Sequence, residues 1–198
     1  MSELRDLVGA TDIYLLDQIL KGRYGASGTI LDAGAGAGRN LHWFARQGFR
    51  VHGTDLDPSA IEYLRGSYPD VPAENFQVAP VEALPFPDAH FDHVICCAVL
   101  HFARDPEHFD AMFAELIRVL KPDGSLFARV ATEDVGLADR MIPLGNGRFT
   151  MPDGSDRFLL TRALLADLLR RHRLRLLEPF KTVLVDELRS MAVLVIGK

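Results

Sequence analysis

Cysteine is almost missing from this chain: Cys96 and Cys97 are the only two, and they are neighbours. Adjacent residues of a strand point to opposite faces, so an ordinary disulfide between them is disfavoured, and nothing suggests an oxidising compartment. The same geometry argues against a metal site built from Cys96, Cys97, His93 and His101, and no metal is expected. Positive charge is also short. The net charge is −5, without the overall basic excess that phosphate contacts need, so no nucleic-acid partner is expected. The one basic run, Arg170, Arg171, Arg173 and Arg175 around His172, reads as a solvated helix end. Long apolar runs are missing too. None reaches the ~18 residues of a membrane span, and Glu3, Arg5, Asp6, Asp12 and Asp17 interrupt any signal-peptide core between Met1 and Leu20. A soluble, cytoplasmic protein is expected, with no repeats and no low-complexity segments. At 198 residues with 48% hydrophobic content, one domain with a sizeable core is expected.

What is present is alternation of strand and helix. Thr11–Tyr24 reads as a helix from Ile13, Leu16, Ile19 and Leu20. Thr29–Ala33 is an apolar strand that runs into glycines, and Arg39–Gln47 a helix closed by Gly48. Arg50–Asp55 is a second strand. Asp57-Pro58 is a helix start, with Asp as N-cap and Pro at the first helical position, and that helix runs to about Ser67. Phe76–Ala79 and Phe91–Val99 are strands, the latter apolar enough to be buried on both faces. Pro106–Leu120 is an amphipathic helix, Lys121–Gly124 a turn and Ser125–Ala131 a strand. Thr161–His172 is a helix with Thr161 as N-cap. Arg175–Leu184 and Met191–Gly197 are closing strands, readable as a hairpin across Asp186-Glu187. This order predicts an α/β, Rossmann-like doubly wound, mostly parallel sheet with helices on both faces and a C-terminal antiparallel strand. Glu133–Leu160 breaks the rhythm with its glycines and prolines. It reads as a lid, a binding loop or a disordered segment, with a small hairpin about Pro152-Asp153-Gly154.

The chemistry-bearing signal is Leu31-Asp32-Ala33-Gly34-Ala35-Gly36-Ala37-Gly38. Glycines at a strand–helix junction let the backbone turn tightly and approach a ligand, and the N–H groups at the helix start can face an anionic group. Asp55, roughly 20 residues beyond Gly34 at the tip of the next strand, suits the two hydroxyls of a ribose. Asp57 is either a helix cap or a ligand contact. A dinucleotide loop needs G-x-G-x-x-G/A, whereas the third position is Arg39 counted from Gly34 and Leu41 counted from Gly36. Asp32, beneath the glycines, would repel a pyrophosphate and suit an ammonium group. S-adenosylmethionine carries an ammonium and a sulfonium and no phosphate.

At this point the sequence resembles class I S-adenosylmethionine-dependent methyltransferases, closest in flavour to the "type 11" small-molecule group. Ile30–Gly38 is similar to their first motif, and Val51–Ser59 to their second-strand motif. Glu82–Asp88 with Phe91-Asp92 resembles the segment around the fourth strand. Glu115–Gly124 resembles the helix-turn before the fifth. The resemblance covers roughly Thr29–Ala131. It implies that Asp32 and the backbone of Gly34, Ala35 and Gly36 hold the methionine end of the cofactor, with Arg39 in reach of its carboxylate. Asp55 would hold the ribose, Leu56 would pack on adenine, Val81 and Glu82 would border the adenine edge, and Cys97 would touch the cofactor through its backbone. Pro80 departs from the family, which often has an Asp there to bond the adenine amino group.

Methyl transfer from a sulfonium needs alignment and, for some acceptors, deprotonation. His101, after the fourth strand, is the candidate base or substrate contact. Phe102, Phe149 and Phe158 either line the acceptor pocket or belong to the core. The expectation is one methyltransferase domain over residues 1–198 acting on a small-molecule acceptor. Residues 1–24 would form an N-terminal helical cap and residues 133–160 a substrate-side insertion, the two covering the methyl end of the cofactor. The alternatives are a non-catalytic cofactor-binding or interaction protein and a nicotinamide-dependent oxidoreductase.

Overall fold

The computed structural model describes residues 2–133 and 136–198; Asp134 and Val135, inside the predicted insertion, lie outside the described residues. The chain runs α1 (Ser2–Val8), α2 (Ile13–Leu20), β1 (Thr29–Ala33), α3 (His42–Arg46), β2 (Arg50–Asp55), α4 (Pro58–Ser67), β3 (Phe76–Val78), β4 (Phe91–Cys97), α5 (Pro106–Val119) and β5 (Leu120–Ala131). It continues through β6 (Ile142–Gly145), β7 (Arg148–Thr150), β8 (Asp156–Phe158), α6 (Arg162–Arg171), β9 (Arg175–Leu176), β10 (Lys181–Val185) and β11 (Arg189–Gly197).

The main sheet has the order β10-β11-β5-β4-β1-β2-β3, with β9 also paired to β11. Strands β1 to β5 run parallel to one another, and β11 runs antiparallel to both β5 and β10. This is the Rossmann-like sheet with a C-terminal antiparallel strand that the alternation predicts. Strand order reverses at β1, which lies between β2 and β4. Such a switch point opens a crevice beyond the carboxyl ends of the strands.

Side-chain alternation divides the core into two layers. Leu31, Val94, Cys96, Leu126, Ala128, Val130, Leu194 and Ile196 pack with Phe109, Phe113 and Leu116 of α5 and Leu165 and Leu168 of α6. On the other face Ile30, Ile95, Phe127, Val193 and Val195 meet Leu15 of α2, Phe44 of α3 and Ile61 and Leu64 of α4. Asp32, Cys97 and Arg129 share the parity of that second face, so three polar or reactive side chains reach the α2–α4 side near the strand ends.

Several boundaries move from their predicted places. The N-terminal helix is shorter than Thr11–Tyr24 because the Asp12 carboxylate caps α2 by accepting from Tyr14 N–H. The separate helix α1 has too few apolar positions to announce itself. The glycine loop is followed by turns, and α3 starts only at His42. Strand β4 stops at Cys97, because Ala98 adopts φ 64° and leaves the extended region. Lys121–Gly124 is a bulge inside β5: Leu120 pairs with Phe91, and pairing resumes with Ser125 against His93. Predicted strand Arg175–Leu184 is divided into β9 and β10 around Glu178-Pro179-Phe180. The suggested hairpin is β7–β8, joined by β6 into a separate three-stranded sheet. Asp57 and Thr161 cap α4 and α6 as expected.

Candidate functional site

The loop after β1 is shaped by two close approaches. A Cβ on Gly34 would lie 2.4 Å from Val99 Cγ2, and one on Gly38 2.3 Å from Leu64 Cδ2. Both glycines also have positive φ, 77° and 75°, so no other residue fits either position unstrained. Gly36 differs. Its φ is 52°, and a Cβ there would meet nothing within 4 Å.

The loop's amides do not wait for a ligand. Gly34 N–H and Ala35 N–H both donate to Thr54 C=O at 2.8 Å, and Gly36 N–H donates to Asp55 Oδ2 at 2.8 Å. The amides of Gly34, Ala35 and Gly36 are thus bonded within the protein. At Gly36 the loop offers open space. Below it Asp32 is 1% exposed, and among the described residues neither carboxylate oxygen has a hydrogen-bond partner. Burial pushes its pKa up to about 8, against the opposing pull of Arg39 and with help from the charge of Asp55. A buried carboxylate left without donors is costly, and an ammonium group resolves that cost.

Asp55 stands at the end of β2, where its other oxygen accepts from Asp57 N–H at 3.0 Å. Each oxygen keeps a lone pair for a further donor. Gly34, Asp55, Leu56, Val81, Glu82 and Cys97 line one cavity of about 530 Å³. Leu56 is 70% exposed on its wall. Glu82 Oε1 lies 3.0 Å from His108 Nε2. Pro80 precedes a single 3-10 turn, Val81–Ala83. The segment after that turn is fixed from α5: Glu115 accepts from Leu84 N–H at 2.9 Å, and Arg118 donates to the carbonyls of Leu84 and Phe86 and to Asp88. Glu115 and Arg118 therefore tie the segment after the Val81–Ala83 turn to α5, a role invisible in their helical spacing. Asp57 is occupied by capping, accepting from Ser59 N–H at 2.8 Å.

A second cavity, about 450 Å³, adjoins the first through Ala98 and Phe102, which line both. Asp12, Arg39, His101, Arg129, Arg157 and Arg189 line it. Its walls come from the start of α2, the β6–β8 region and the C-terminal hairpin. Asp12 accepts from Arg129 at 2.7 Å, and Arg39 lies 3.6 Å from the same oxygen. Asp12, Arg129, Arg157 and Arg189 belong to no sequence motif. The one available signal was Arg129, a charge inside the otherwise apolar run Leu126–Ala131.

His101 is buried, and its Nδ1 accepts from Ala131 N–H at 3.3 Å, where β4 has ended and no longer serves β5. Burial, with Arg157 and Arg189 nearby, lowers its pKa to about 4. The neutral ring thus carries its proton on Nε2, so it is a donor there. Of the three phenylalanines, Phe158 is core, stacked on Phe109 at 4.9 Å. Phe149 lines a further cavity with Met141 and Leu159. Phe102 separates the two cavities described above.

A sheet switching at β1, a glycine loop over a buried carboxylate and an acid at the tip of β2 define the Rossmann-like methyltransferase class. Residues 31–128 match the family model described as a methyltransferase domain, which supports a class I S-adenosylmethionine-dependent methyltransferase. It is 36% identical over 107 residues to malonyl-(acyl-carrier protein) O-methyltransferase of Hahella chejuensis, covering 52% of this chain and 37% of that protein. The chain thus spans well under half the length of that curated relative. Among solved structures, a S-adenosylmethionine-dependent methyltransferase of Methanosarcina mazei superposes with TM-score 0.73 at 22% identity, covering 90% of this chain and 96% of that one. The 1,6-didemethyltoxoflavin-N1-methyltransferase of Burkholderia thailandensis, solved with its substrate and S-adenosylhomocysteine, gives 0.69 at 24% identity, covering 96% and 79%.

Proposed function

We propose that this chain methylates a small-molecule acceptor with S-adenosylmethionine bound in the cavity between the β1 loop and Asp55. The observation that carries this reading is Asp32: a buried, unpartnered carboxylate beneath a loop whose first amides are already bonded internally. That combination suits an ammonium ligand and opposes a pyrophosphate. When bound, S-adenosylmethionine supplies a methyl group on a sulfonium, which passes to an acceptor lone pair as the carbon–sulfur bonding electrons return to sulfur.

The chain's residues bind and orient. Asp32 pairs with the ammonium, and Gly36 leaves room for the cofactor where a side chain would stand. Arg39 would meet the carboxylate, Asp55 would accept from the ribose hydroxyls, Leu56 would pack on adenine, and Val81 and Glu82 would border its edge, where Pro80 offers no side-chain acceptor. Cys97 contributes backbone at the floor. His101 donates through Nε2 to the acceptor and holds it in line, rather than removing its proton. Residues 1–198 act as one domain, in which the start of α2 and residues 136–160 roof the methyl end. The free, adjacent cysteines support a reducing, cytoplasmic setting. Among the described residues no helix is long and apolar enough to cross a membrane.

The test is calorimetric titration with S-adenosylmethionine, S-adenosylhomocysteine and NAD, repeated on Asp55→Ala. Both adenosyl ligands are expected to bind with micromolar affinity and NAD not at all. Loss of hydrogen bonds to a charged acceptor should weaken them by about 10- to 100-fold in the variant. A folded protein that binds neither adenosyl ligand would overturn the reading.

A further inference from the structure

The cavity beside the cofactor cleft is positive in a chain whose net charge is −5. Four arginines line it, Arg39, Arg129, Arg157 and Arg189, against two aspartates, Asp12 and Asp153. Asp12 is shared between Arg129 and Arg39. Asp153 accepts from Ser155 N–H at 3.0 Å and also from its hydroxyl, and stands 3.7 Å from Arg189. Arg157 makes no ion pair among the described residues. Its guanidinium lies 4.7 Å from the Phe102 ring centroid, on the residue that separates this cavity from the cofactor cleft. Arg129 Nε is buried without a hydrogen-bond partner. With His101 neutral, the described residues that line the cavity carry two positive charges in excess of their carboxylates.

One of these is answered if Arg39 meets the cofactor carboxylate, as in the proposed function, on which this inference rests. The other, at the Arg157–Arg189 end, is not. We infer that the acceptor is a small carboxylate, anchored by Arg157 and Arg189 with its nucleophilic atom turned toward Phe102 and the cofactor cleft. A guanidinium presents paired donors that match the two oxygens of a carboxylate. A recess of this size encloses a small metabolite and is too small for a folded partner. Phe102, held flat under Arg157, gives such a molecule an apolar edge to rest on beside its charged anchor.

The experiment uses malonate, a small dicarboxylate, and malonamide, its uncharged counterpart, titrated into the full chain already saturated with S-adenosylhomocysteine. Malonate should bind saturably, at least about tenfold more tightly than malonamide. In R157Q/R189Q, malonate affinity should fall about tenfold or more, toward that of malonamide, with S-adenosylhomocysteine affinity and melting temperature unchanged. Equal affinity for the two probes, malonate binding untouched by the double substitution, or no saturable malonate binding would each overturn the inference. Failure of the preceding S-adenosylhomocysteine titration would instead strike the cofactor reading, so the two failures are distinguishable.

Discussion

The cofactor half and the acceptor half of this molecule are built by different means. Around β1, β2 and β4 the site is made by backbone: glycines without side chains, amides bonded internally and a single buried carboxylate. On the acceptor side it is made by long charged side chains drawn from the start of α2, the end of β5, the β8 region and the start of β11. The first construction is local in sequence and tolerates little change. The second is assembled by topology and leaves the backbone largely indifferent to which side chains it carries. Such a division lets one cofactor scaffold serve many acceptors.

The glycine loop offers the largest effect by which to break this comparison. Gly34→Ala should destabilise the fold by about 3 kcal/mol, from a Cβ driven into Val99 at a left-handed position. Gly36→Ala, facing open space, should cost only about 1 kcal/mol of stability yet weaken S-adenosylhomocysteine binding by about tenfold or more. Urea unfolding and calorimetry on the two variants check this. Equal stability losses, or unaltered binding by Gly36→Ala, would erase the distinction between a structural and a ligand-facing glycine.

The acceptor half is sharpened by a smaller effect at His101. The hydrogen bond from Ala131 N–H fixes Nδ1 as acceptor, and the lowered pKa keeps the ring neutral until the pH approaches 4. Nitrogen-15 NMR of the imidazole should therefore show the Nε2–H tautomer, with no titration between pH 8 and about pH 5. An Nδ1–H tautomer, or protonation near the ordinary value of 6.5, would return His101 to the role of a base.

How much of this was legible in the sequence follows from the same division. The strand–helix alternation, the glycine loop, the place of Asp55 at a strand end and the Asp57-Pro58 helix start could all be read because each depends on neighbours within a few residues. The direction of the loop amides could not, since Thr54 C=O reaches them across the β1–β2 pairing. Nor could the acceptor cavity. Asp12 and Arg129 are 117 positions apart and meet only because α2 caps onto the face of β5 that Arg129 shares with Phe127. Arg157 and Arg189 are brought to it by the small second sheet and the antiparallel return of β11. The end of β4 at Cys97 was hidden for another reason: Val99 continues the apolar pattern, and only the left-handed turn at Ala98 ends the strand.

Asp32 carries the central claim, and its proton reports on it. In the ligand-free protein the folded-state carboxyl holds its proton up to about pH 8, whereas the unfolded chain releases it near 3.8. Its contribution to stability is thus full below 3.8 and is lost as the pH rises through about 8. An ammonium bound beside it favours the ionised form and expels the proton. Calorimetric titration with S-adenosylhomocysteine at pH 6.5, in buffers of different ionisation enthalpy, should show release of about one proton per ligand bound. Asp32→Asn should abolish that release and weaken binding. Heats that do not depend on the buffer, or a release that persists in Asp32→Asn, would contradict the account.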